Sequence, residues 1–182
     1  MMNFGEGDAQ IVEFSPAFPY QAAFFLRTYQ QGSCYLVLIG EIDLLPQCFS
    51  QVLVPQAVIT ELLHDDAPAA VREWASNLPA WVCVKENPLW ATTGMEKLQA
   101  GEQAAILLAE CMKADVILLD EKAARRVAAG RGLRVTVILG VLGEAATLGL
   151  VELAPAIDRL RTTSFRASPA LLKATLDRFG SR

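Results

Sequence analysis

Histidine occurs once in this chain, at His64, and the four cysteines, Cys34, Cys48, Cys83 and Cys111, are scattered with no CxxC pair. Zinc sites need Cys and His at short fixed spacings, so this scarcity argues against zinc and suits reduced thiols in a cytosol. No apolar run reaches the roughly 18 residues that suggest a membrane span. No basic stretch precedes an apolar block at the amino end, so no secretory signal is expected and a cytoplasmic location is. Internal repeats, low-complexity tracts and linkers are also missing, which predicts one domain over residues 21–182. Residues 1–20 mix Gly, Pro and aromatics without periodicity and read as an irregular tail.

Basic residues are scarce early in the chain. Residues 1–112 hold 4 Lys/Arg against 13 Asp/Glu, a balance of -9, and residues 113–182 hold 12 against 7, a balance of +5. An acidic half beside a basic half suits a metal site next to a phosphate-binding face. An unevenly sampled soluble surface gives the same numbers.

What is present is a foldable chain. Its 182 residues are 53% hydrophobic and 20% charged, enough to bury a sizeable core and too apolar for disorder. Buried strands are expected at 22–26, 51–54, 116–119 and 133–136, with a further or edge strand at 81–84. Helices are expected at 55–63, 67–77, 139–148, 154–161 and 169–179, and one or two within 32–49. Strands alternating with helices predict an α/β fold, a three-layer α/β/α sandwich around a mostly parallel sheet.

The organising stretch is Gly101–Arg126: a helix opened by Gly101-Glu102, a strand, then Asp120 and a second helix. Ligands of open parallel sheets bind beyond the carboxyl ends of the strands, and Asp120 lies at such an end. Hydrolysis of phosphodiesters with hard divalent cations needs converging carboxylates. Glu61, Glu102 and Asp120 are the candidates, with Glu121 nearby. Each also has a plainer role. Glu61 falls off the apolar face of its helix, Glu102 sits in a first helical turn where an acid suits the dipole, and Asp120 suits an N-cap.

The combined series Pro55-x-x-Val58-x-x-Glu61-Leu62, Gly101-Glu102-x-x-Ala105-Ile106 and Leu118-Leu119-Asp120-Glu121-Lys122-x-Ala124-Arg125 resembles the PIN-domain superfamily. More narrowly it resembles a bacterial subfamily related to VapC-type toxins. Ile39–Pro46, Leu139–Leu142 and Ser164–Ser168 extend the likeness over about residues 36–176. The resemblance implies a Mg²⁺- or Mn²⁺-dependent endoribonuclease, commonly the toxin of a toxin–antitoxin pair. It implies RNA as substrate, a small antitoxin protein as partner and a homodimer. Carried over, Glu61, Glu102 and Asp120 are catalytic, metal-site carboxylates. Arg125 is a conformational or phosphate-facing cation, and Arg126 a second nucleic-acid-binding position or a solvent-facing one.

Two departures bear on activity. The family places an Asp directly after the first strand, and counting back without gaps from Tyr35–Ile39 puts Tyr29 there. Tyr29 cannot replace a carboxylate for Mg²⁺, and Asp8, Glu13 and Asp43 do not follow the first strand. The segment Thr136-Val137-Ile138 stands where the family usually has a Gly-Thr pair. Loss of one carboxylate should weaken metal affinity and activity. The alternative is therefore a degenerate, non-catalytic PIN domain that binds RNA or an antitoxin. A receiver-like phosphorylated domain needs an acidic pair after its first strand and a Lys after its last, and has neither here. His64 reads as a helix-end residue, and Trp74, Trp81 and Trp90 as packing residues or base-stacking ones.

Overall fold

The computed structural model describes residues 21–24 (backbone), 34–88 and 93–180. Tyr29, Asp8, Glu13, Trp90 and the tail 1–20 lie outside these residues. Five parallel strands form one sheet: β1 (Gln21–Phe24), β2 (Gln51–Pro55), β3 (Val82–Lys85), β4 (Val116–Leu118) and β5 (Val135–Thr136). Their order is β3-β2-β1-β4-β5. β1 pairs with β2 through Ala22↔Val52 and with β4 through Ala22↔Val116. The architecture is the expected α/β/α sandwich, and buried parallel strands explain the continuous apolar runs in β2 and β4.

The stretch expected to be one or two helices over 32–49 breaks into α1 (Tyr35–Leu38), a 3₁₀ turn (Ile42–Leu44) and α2 (Leu45–Cys48). Gly40 causes the first break, at a left-handed φ of 74° that L side chains rarely adopt. Pro55 belongs to β2 and N-caps α3 (Gln56–Leu62) in extended geometry, so the helix starts one residue later than expected. α4 (Ala69–Ser76) likewise starts after its proline, Pro68. Proline's fixed φ and missing N–H place it at or just before a first turn in both cases.

α5 (Ala100–Met112) crosses from β3 to β4 and packs against β1, β2, β4 and α3. Residues 104–109, Ala-Ala-Ile-Leu-Leu-Ala, are all buried, so α5 is apolar on every side at its centre. Each Leu or Ile so buried contributes about 1.5–3 kcal/mol. α6 (Lys122–Gly130) joins β4 to β5. α7 (Ile138–Thr147), α8 (Leu153–Arg161) and α9 (Pro169–Phe179) pack on one another, and α2 links α7 to β2. Gly143 of α7 admits the Phe179 ring of α9, since a Cβ there would stand 2.5 Å from Phe179 Cδ2.

Candidate active site

The strand order reverses between β1 and β4, which makes their carboxyl ends the switch point where open α/β sheets bind ligands. Asp120 emerges there. The Leu119 N–H still donates to the Thr136 carbonyl at 3.0 Å, holding the chain beside β5 for one residue past β4. Asp120 Oδ1 then accepts from the Ile138 N–H at 3.0 Å. Ile138 opens α7, so the carboxylate sits at the positive end of that helix. The N-cap of α6 is Glu121 rather than Asp120. Asp120 does stabilise a helix start, but that of α7.

α5 follows the carboxyl end of β3 and runs back to the start of β4, so its first turn lies on the same carboxyl rim. Two acids meet there. Half-buried Glu61, on α3, accepts the Gly101 N–H on Oε1 at 2.9 Å. Buried Glu102 reaches back with Oε2 to the N–H of Gln99, the α5 N-cap, at 3.0 Å. All three acids therefore share one physical role: each takes a backbone N–H at a helix start and sits in a favourable dipole. Arg125 Nη1 donates to the Asp120 backbone carbonyl, which ties α6 to the turn before it. Arg126 is exposed, as the divergence of neighbouring helix positions predicts.

Cys34 was not singled out among the scattered cysteines, yet it borders this site. Burial chiefly, partly offset by a hydrogen bond from the Val37 backbone and aided by the nearby Asp120 charge, pushes its thiol up to about 12. A thiol so held is a neutral wall and not a nucleophile. His64 is exposed at the end of α3, its Nδ1 accepting the Asp66 N–H at 3.3 Å. Trp74 and Trp81 pack against each other at a 42° tilt with ring centroids 6.4 Å apart.

Among the described residues, no three His, Cys, Asp or Glu side chains come together in a group able to hold a metal ion. Mg²⁺ keeps several waters and takes one or two carboxylates. Glu61 and Glu102, meeting at one helix start, suit that share, but no third described acid completes the set. The residues fit such an ion in part.

Three acids are thus held by helix-start N–H groups on the carboxyl rim of a parallel α/β sheet that has a switch point between β1 and β4. A family model described as DUF3368, PIN domain, matches residues 34–181, and the chain belongs to that family. The PIN family suggests a nuclease-like function, and its members typically use divalent metals. Comparison with curated proteins finds no match, and neither does comparison with solved structures. No helix among the described residues is long and apolar enough to cross a membrane.

Proposed function

We propose that this chain is a PIN-type endoribonuclease that depends on Mg²⁺ or Mn²⁺ and works with a reduced carboxylate set. The observation that carries the reading is the common anchoring of Glu61, Glu102 and Asp120 by helix-start N–H groups on one rim. Anchoring fixes the direction of each anionic group before a ligand arrives, which is what a preorganised site requires. Glu61 and Glu102 would hold the ion, which when bound supplies an activated water and stabilises the leaving oxygen, and Asp120, the third metal-site carboxylate that the resemblance implies, would have to move toward them to join it. Arg125 holds the Asp120 turn through its carbonyl, and exposed Arg126 offers a cation to an RNA phosphate. The likeness to VapC-type toxins adds a small antitoxin protein as partner and a homodimer as assembly.

A second reading is favoured by the absence of three converging ligands among the described residues and by Tyr29 at the position of the family's first Asp. In it the acids are helix caps, and the domain binds RNA or an antitoxin without cutting. Calorimetric titration with Mn²⁺ and a cleavage assay on structured RNA, for the chain and for Asp120→Asn, decide between them. Metal-dependent cleavage lost in the variant supports the nuclease. Cleavage that survives in Asp120→Asn removes Asp120 from the metal site. RNA binding with neither metal uptake nor cleavage establishes the second reading.

A further inference from the structure

Two residues beside Asp120 are poor choices taken singly. Gly140 is the third residue of α7, where glycine costs about 0.5–1 kcal/mol relative to alanine. Its φ is not positive, so backbone conformation does not require it. Space does, because a Cβ at this position would stand 2.7 Å from Thr136 Oγ1. Thr136, the last residue of β5, is fully buried, and its hydroxyl has no hydrogen-bond partner among the described residues. Leaving a buried hydroxyl unpaired costs about 1–3 kcal/mol. Threonine is stiff at χ1, so the hydroxyl does not readily swing clear. Two individually unfavourable residues thus face each other across one close contact.

The same Thr136 accepts the Leu119 N–H on its carbonyl, at the exit of β4. Its backbone therefore holds the strand that delivers Asp120, while its side chain meets the helix whose first N–H donates to Asp120. We propose that Thr136 and Gly140 are positioning residues: their contact seats α7 on the end of β5 at the depth where the Ile138 N–H meets Asp120 Oδ1. Any side chain at 140 lifts the start of α7 and moves that N–H off the carboxylate. The inference rests on Asp120 being the acting carboxylate, but the geometry it asserts is measured without any cleavage assay.

The test is amide hydrogen exchange by NMR on the ¹⁵N-labelled full chain. Gly140→Ala should speed exchange at Ile138 by about tenfold, the loss of one hydrogen bond, relative to Ile117, which bonds to Arg134 within the sheet. Gly140→Ala combined with Thr136→Ala removes the clashing oxygen and should return Ile138 to the parental rate. Equal acceleration at Ile138 and Ile117 would mean general loosening and overturn the proposal, as would an unchanged Ile138. If Gly140→Ala alone does not fold, the double variant decides. A folded double variant with a protected Ile138 supports positioning, and one that is unfolded or unprotected refutes it. A chain that passes this test yet cuts no RNA keeps the positioning and loses only the nuclease reading.

Discussion

Glu61→Ala probes the contact that joins α3 to the start of α5, across 40 residues of sequence. The substitution removes the acceptor of the Gly101 N–H, and Gly101 is itself buried, so water does not easily replace the carboxylate. Hydrogen bonds to charged groups contribute about 1.5–3 kcal/mol, and half-burial of Glu61 places this one at the low end. An anion at a helix start adds about 0.3–1 kcal/mol. The expected loss is about 2 kcal/mol, or about 4–8 °C in Tm for a chain of this length. Glu61→Gln keeps an acceptor oxygen and should lose only the charge-dependent part, about 0.5 kcal/mol. Urea unfolding of both variants in EDTA, with unchanged m-values, isolates this effect from any ion. Equal losses for Ala and Gln, or no measurable loss for Ala, would refute the anchoring role.

Three other outcomes follow from packing and burial. Exposed Cys111 should react with a disulfide reagent in the native protein, while Cys34 and Cys48, whose thiols burial pushes to about 12 and about 11, stay silent until unfolding. Because their folded values lie above the ordinary 9.0, the unfolded chain releases these protons first, and unfolding free energy should fall as pH rises past about 9. A stability that stays flat from pH 8 to 10.5 would contradict this. Gly143→Ala should force the Phe179 ring off α7 at a cost of about 1–3 kcal/mol. Limited proteolysis should then cut within α9 first, and cleavage elsewhere would count against the docking.

Local structure was largely legible in the sequence because the relevant signals are local. The alternation of apolar strands and helices from Gln51 to Thr136 announces a parallel sheet, and Pro55 and Pro68 mark helix starts to within a residue or two. The acids Glu61, Glu102 and Asp120 were also visible, as polar residues at chosen places in apolar frames. Their partners were not. The Asp120 bond to Ile138 and the Glu61 bond to Gly101 join distant residues, and no periodicity encodes such a pair. Cys34 escaped for the same reason, and Thr136 was legible only as a departure from the family's pattern: their meaning comes from Asp120 and Gly140, which only the closed sheet brings beside them.

The central place of β1 has a consequence for synthesis of the chain. β1 is made well before its second neighbour, β4, which begins only at Val116. Until then β1 has β2 on one side and an unpaired row of backbone groups on the other, a template for joining another nascent chain. Over that interval the emerging polypeptide is strongly acidic, with 13 Asp/Glu against 4 Lys/Arg through residue 112. Like charge on every copy opposes their association while the edge is open.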